Sequence, residues 1–209
     1  MKHGLVRIFS LFLALATLLA TSFFTVSCEF GFDDGGTTSG GNTGGNGAGD
    51  DGNTPTIVPT SIVINEVCTK NTARRHTEDG AYCDWIELYN KSEEDVSLAG
   101  WGISDRAKSV KHIFTAGVTV PAKGFLMLWA CGTATTSDKN GGVNLPFALS
   151  KNGEKLYLFN AAGAVTDYVV VPALQNGGSF GRTTDGGEVF AEFVSPSFGQ
   201  TNGKSDILH

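Results

Sequence analysis

Apolar residues crowd residues 8–20, nearly vanish between residues 31 and 55, and return after residue 56 as short runs broken by Gly, Asn, Pro and Ser. The returning runs predict strands. They are residues 61–67 (SIVINEV), 85–90 (WIELYN), 96–103 (VSLAGWGI), 111–114 (KHIF), 125–129 (FLMLW), 147–149 (FAL), 155–159 (KLYLF), 164–171 (AVTDYVVV), 178–182 (GSFGR) and 189–193 (VFAEF). They are rich in β-branched and aromatic residues, and turn residues such as Pro121-Ala122-Lys123-Gly124 separate them. That alternation predicts an all-β sandwich or barrel. No stretch carries a helical stripe. Ile62-Val63-Ile64 is apolar on both parities, as expected of a central strand or of one whose faces swap at a bulge. The runs 125–129 and 155–159 read as core.

The first apolar run has a different meaning. Lys2 and Arg7 precede it, and Ser27 stands just before Cys28. A basic start, an apolar stretch and a small residue make a secretory signal. The cysteine at its end resembles the lipoprotein box of bacteria, although Thr25 stands where that box usually has Leu. The resemblance implies that the Cys28 thiol is acylated and tethers the chain to a membrane. Secretion without lipid and retention as an anchor are the alternatives. Residues 31–55 hold Gly, Asn, Thr and Asp with one large apolar residue, Phe32. Such a segment buries too little to offset its ordering entropy, so it reads as a flexible linker spanning roughly 30 Å. The acidic pairs Asp33-Asp34 and Asp50-Asp51 lack calcium-loop spacing. The expected organisation is a signal peptide at 1–27, the lipid cysteine and linker at 28–56, one sandwich domain at 57–203 and a tail at 204–209. That length leaves no room for a second, catalytic domain.

Charge removes one class of partner. Lys and Arg number 15 against 21 Asp and Glu, a net charge of −6. Nothing resembles a basic nucleic-acid footprint.

The order of short motifs narrows the fold. Ile64-Asn65-Glu66-Val67 is followed by Asp84-Trp85-Ile86-Glu87-Leu88-Tyr89-Asn90, then Leu98-Ala99-Gly100-Trp101 and Ile103-Ser104-Asp105. Pro146-Phe147-Ala148-Leu149-Ser150 precedes Gly153-Glu154-Lys155-Leu156-Tyr157-Leu158, and Gly163 precedes Val165-Thr166-Asp167. Ser179-Phe180-Gly181-Arg182 and Ser195-Pro196-Ser197-Phe198-Gly199 close the series. This string resembles the lamin-tail domain over nearly all of residues 60–203. The resemblance implies an immunoglobulin-like β-sandwich, used in bacteria as an accessory adhesion or anchoring module. Ser197 departs from it, standing where the bacterial form more often reads Thr-Pro-Gly.

Candidate chemistry is sparse. Glu66, Asp84, Glu87, Asp105 and Asp167 could supply oxygen ligands to Ca²⁺ if the fold gathers them; otherwise each orders a turn or pairs with Arg182 or a Lys. Arg182 could grip a carboxylate or phosphate, or pair with Asp167 or Glu87 between strands. Arg74, Arg75 and His76 form a basic loop patch, a contact surface or merely a solvated loop. Trp101 and Trp129 suit core packing better than a carbohydrate platform. Cys68, Cys83 and Cys131 are odd in number. A Cys68–Cys83 bridge between neighbouring strand ends is one reading, and three buried thiols the other. No Gly-x-Ser-x-Gly elbow occurs. The expectation is a non-enzymatic, lipid-anchored envelope protein, periplasmic or surface-exposed, whose sandwich binds an envelope protein or polysaccharide. The alternatives are an accessory subunit that targets a secreted hydrolase, and a weak metal-dependent hydrolase. No cofactor beyond Ca²⁺ is expected.

Overall fold

The computed structural model describes residues 54–76, 80, 82–133 and 142–203, all within the compact unit Gly49–His209. Cys28, the expected signal peptide, the linker up to residue 53 and the tail from residue 204 lie outside the described residues. Among the described residues there is no helix, and so none long and apolar enough to cross a membrane.

The order of elements is β1 (Ile62–Cys68), β2 (Asp84–Asn90), β3 (Val96–Ser97), β4 (Gly102–Ser104), β5 (His112–Ile113), β6 (Thr119–Val120), β7 (Phe125–Ala130), β8 (Val143–Asn144), β9 (Glu154–Phe159), β10 (Val165–Val171), β11 (Ser179–Arg182) and β12 (Phe190–Phe193). A six-stranded sheet runs β12-β11-β1-β2-β7-β8, and a four-stranded sheet runs β10-β9-β4-β5. Strands β3 and β6 form a small ribbon. All ladders are antiparallel except β7–β8. The two larger sheets share one apolar core. Ile62, Ile64, Val67, Ile86, Leu88, Leu126 and Leu128 enter it from the first, and Ile103, Leu156, Leu158, Val169 and Val171 from the second. The chain is an immunoglobulin-like β-sandwich.

β1 shows both features its pattern allows. It is central, lying between β11 and β2, and it carries a bulge between Ile64 and Glu66. Asn65 is the extra residue, since Ile64 opposes Leu88 and Glu66 opposes Glu87. One extra residue reverses the parity of everything after it. Ile62 and Ile64 therefore face the core, and so does Val67. Cys68 joins Trp85 and Trp129 in a second buried cluster.

Three details differ from the sequence pattern. The run 96–103 splits into β3 and β4, which belong to different sheets. Gly100 makes the break, with φ +77 in the left-handed region that favours glycine. The run 147–149 is no strand; only Ala148 bridges Cys131, and pairing passes instead to β8, in a stretch that reads as loop. β6 is too short to announce itself in an apolar pattern.

Candidate functional site

The five carboxylates expected as a metal set do not converge. Among the described residues, no group of three or more His, Cys, Asp and Glu is placed to hold a metal ion. Asp105 pairs with Lys111 at 2.5 Å. Asp84 accepts the backbone N–H of Asn71 at 3.2 Å, and burial raises its carboxyl above the usual range. Asp167 pairs with Arg182. Only Glu66 and Glu87 oppose each other, across the β1–β2 ladder. Both are fully buried, and both are filled by donors of the fold.

Most of those donors come from the chain after β12, joined by Asn65 of β1 and Ser179 of β11. Glu66 accepts the hydroxyls of Ser179 and Ser197 and the N–H groups of Ser197 and Phe198. Glu87 accepts from the Asn65 side-chain amide at 2.9 Å and from the Gly199 N–H at 2.5 Å. Asp185 holds the N–H of Asn202 and the Asn65 amide, both at 3.0 Å. The carboxylates thus form a clamp that ties residues 197–202 to the six-stranded sheet. Burial pushes the Glu87 carboxyl up to about 8, and the nearby charges of Glu66 and Asp185 add to the rise. Ser197, the residue that departs from the lamin-tail pattern, is a main donor to the clamp. Phe198 sits at φ 43, a conformation that a bulky residue rarely adopts. Its ring packs on Trp85 at 5.1 Å and on Trp129 at 5.4 Å.

Arg182 is structural. Only 6% exposed, it bonds both Asp167 oxygens (3.0 and 2.8 Å), the Ile64 carbonyl at 2.9 Å and the Gly187 carbonyl. Asp167 in turn accepts the Ile64 N–H at 2.7 Å. The β1–β11 ladder covers Glu66 and Val67 but not Ile64. The ion pair therefore supplies the donor and acceptor that a neighbouring strand would give Ile64. A bound carboxylate or phosphate finds no accessible guanidinium here, and the partner within the fold is Asp167, not Glu87.

The cysteines pair differently from the Cys68–Cys83 expectation. Cys83 bonds Cys131, with Cα atoms 4.8 Å apart, and Cys68 is a buried free thiol. Register explains the correction. Asp84 faces Ala130 across β2–β7, so Cys83 and Cys131 are the next facing pair. Cys68 faces Trp85, two positions from Cys83. Burial pushes the Cys68 thiol up to about 12.

The basic patch is divided by its own fold. Arg74 and Arg75 are exposed, but His76 is 1% exposed and turns inward, edge-on to Trp129 at 5.2 Å. Arg75 lies over the Tyr82 ring and donates to its hydroxyl. Arg74 lies over Phe198 at 5.1 Å. Asn71 holds this turn rigidly: its amide donates to the carbonyls of Arg74 and Cys83 and accepts from the N–H groups of Ala73 and Arg74. Between this turn and Val194–Pro196 runs a groove of about 410 Å³, with Trp85 and Gly177 also in its lining. Trp85 is wholly buried, and its indole N–H has no acceptor. Trp129 is buried too, so neither ring is a platform for a sugar.

A sequence model of the Lamin Tail Domain family matches residues 55–173. The chain belongs to the lamin tail domain family. No curated protein matches the chain. The lamin-tail match ends before β11 and β12, yet β11 pairs directly with β1. Arg182, Ser197, Gly199 and Asn202 also lie beyond it, so the segment that the clamp holds and one wall of the groove come from sequence outside the matched segment, while Glu66 and Glu87 lie within it. Asn71 and Phe198 were not legible as site residues, because an Asn in a polar loop and a Phe near a Gly carry no pattern. Trp85 was legible only as the start of a strand.

Proposed function

We propose that this lamin-tail protein is a non-enzymatic binding module of the bacterial cell envelope, held to a membrane by lipid on Cys28. The observation that carries the binding role is the face built around Asn71, Arg74 and Trp85. It joins an exposed cation, a rigid turn and a groove, and the Cys83–Cys131 bridge staples the strand ends beneath it. Recognition commonly sits on loops held by a rigid scaffold. Catalysis lacks comparable support: the buried carboxylates and Arg182 are occupied by the fold, and lamin-tail sandwiches are typically non-catalytic. The disulfide supports an oxidising compartment outside the cytoplasm. The partner is an envelope protein or polysaccharide, and no metal or nucleic acid is required.

Two measurements test this reading. The Cys28→Ser variant is expected to lose fatty-acid labelling and to leave the membrane fraction. Wild-type protein retaining envelope material on a pull-down, with loss in an Arg74→Ala/Arg75→Ala variant, supports the module. Recovery of one secreted hydrolase as the retained species assigns the protein as that enzyme's accessory subunit. Equal retention by both forms refutes the assignment of this face.

A further inference from the structure

We propose that residues 197–202 form a strap that lifts off the six-stranded sheet while the sandwich stays folded, and that a single proton on Glu87 holds it down. Parity along β1 and β2 shows what the strap covers. Ile86 and Leu88 point into the shared core, so Trp85 and Glu87 point out of the opposite face. Beyond the bulge Val67 is a core residue, so Glu66 and Cys68 share that outer face. The outer face of an antiparallel sheet commonly meets water. Here Glu66, Glu87 and Trp85 are 0% exposed and Cys68 only 1%. The strap supplies cover. Ser197, Phe198 and Gly199 donate to the two glutamates, and the Phe198 ring packs on Trp85 and Trp129. The strap belongs to no strand. Its grip on the sheet runs through the carboxylates of Glu66, Glu87 and Asp185 and through the Asn202 amide, which donates to the Arg182 carbonyl at 2.7 Å. The Ser197 hydroxyl lies 2.7 Å from the Asn202 side-chain oxygen and closes the strap on itself. Phe198 sits at φ 43, a backbone strain that lifting relieves.

Glu87 is the latch. The charged groups facing it are Glu66 from β1 and Asp185 from the turn between β11 and β12. β7 sets Met127 opposite it, and residues 197–202 carry no charge. Ionising Glu87 beneath the strap therefore adds a negative charge beside two others, in a buried place with no facing cation. Lifting the strap lets water reach the carboxyl, which then ionises near 4.5 instead of about 8. The sign follows. The closed form holds the proton more tightly, so it is favoured fully below the lower value and loses ground as pH rises toward the upper one. The ratio of open to closed strap should grow about tenfold for each pH unit in that window and level off above it. Arg74 rests on the Phe198 ring, so lifting the strap also unseats the exposed cation of the binding face. The device does not depend on what that face binds.

The test is amide hydrogen exchange of the ¹⁵N-labelled full chain in detergent micelles from pH 5 to 8, with the intrinsic pH dependence of exchange divided out. Protection of the Gly199 and Asn202 N–H groups, which bond Glu87 and Asp185, should fall about tenfold per pH unit. At every pH it should lie below the protection of Leu88 in β2 and Leu128 in β7, the mark of a local opening. Glu87→Gln should leave Gly199 protection flat across the range. Equal protection of Gly199 and Leu88 at every pH overturns the strap, because residues 197–202 then open only with the whole domain. A flat wild-type profile at Gly199, or a slope that survives in Glu87→Gln, overturns the role of the proton. If the glutamine variant does not fold, the ¹³C carboxyl resonance of Glu87 in the wild type decides. A midpoint near 8, where the fall in Gly199 protection also ends, supports the latch; a midpoint in the ordinary carboxylate range overturns it.

Discussion

Reduction of the Cys83–Cys131 bridge is expected to lower the unfolding free energy by about 4 kcal/mol. The figure follows from the loop it closes. The two cysteines are 48 residues apart, and a cross-link removes roughly 2.1 + 1.5R ln n cal/mol/K of entropy from the unfolded chain. For a loop of that length the sum is about 14 cal/mol/K, or about 4 kcal/mol at 25 °C. The native state contributes little to the change, because β2 and β7 are already paired along their length and place the two Cα atoms 4.8 Å apart. Urea unfolding read by tryptophan fluorescence, with and without reductant, measures the shift. Trp85 and Trp129 lie in the same buried cluster as Cys83, so emission reports on the right region. A Cys83→Ala/Cys131→Ala variant should show the reduced curve in either buffer, and Cys68→Ala should keep the response to reductant. Peptide mapping after thiol labelling should find Cys68 labelled and the other two protected. A response to reductant that disappears in Cys68→Ala, or a shift under ~1 kcal/mol, would refute the argument from register.

Other perturbations probe the buried polar groups. Glu87 ionises near 4.5 in the unfolded chain and at about 8 in the fold. The folded state therefore holds its proton more tightly, so stability is highest below the lower value and falls as pH rises toward the upper one, by at most roughly 5 kcal/mol. Unfolding curves from pH 5 to 8.5 should show this decline in wild type and lose it in Glu87→Gln; parallel curves would reject it. The glutamine should also cost about 1–3 kcal/mol at pH 5, since Asn65 and Gly199 both donate to this side chain and an amide accepts on one side only. Arg182→Met should destabilise by about 3–5 kcal/mol, because it leaves Asp167 charged and buried, and an added Asp167→Leu change should recover part of that loss in the same denaturation assay. Gly181→Ala should lower thermal stability by about 1–3 kcal/mol, because a Cβ there would lie 2.8 Å from the Asn65 carbonyl at the bulge; an unchanged melting temperature would mean that β11 does not approach β1 this closely.

Much of the fold can be read from the chain. Strand-length apolar runs at 61–67, 85–90, 125–129 and 155–159 are local facts, because side chains alternate along a strand whatever it pairs with. The lamin-tail resemblance supplied their order and hence the sandwich. The site was legible only in part. Arg74 and Arg75 read correctly as exposed, since cations in a polar loop need no partner. His76 did not, because its burial depends on Trp129, far away in sequence.

What the sequence alone determined is the main strands and the family. Those follow from local propensity and periodicity, which each segment carries with it. Only the tertiary structure decided which cysteines join, where the carboxylates go and what Trp85 faces. Cys68 and Cys83 are the nearer pair along the chain, yet register sets Cys83 against Cys131. Glu66 and Glu87 resemble metal ligands by residue type, but each accepts from residues 197–199, more than 100 positions away. Pairings of that kind depend on distances between strands, and the one-residue bulge at Asn65 is what sets Glu66 opposite Glu87.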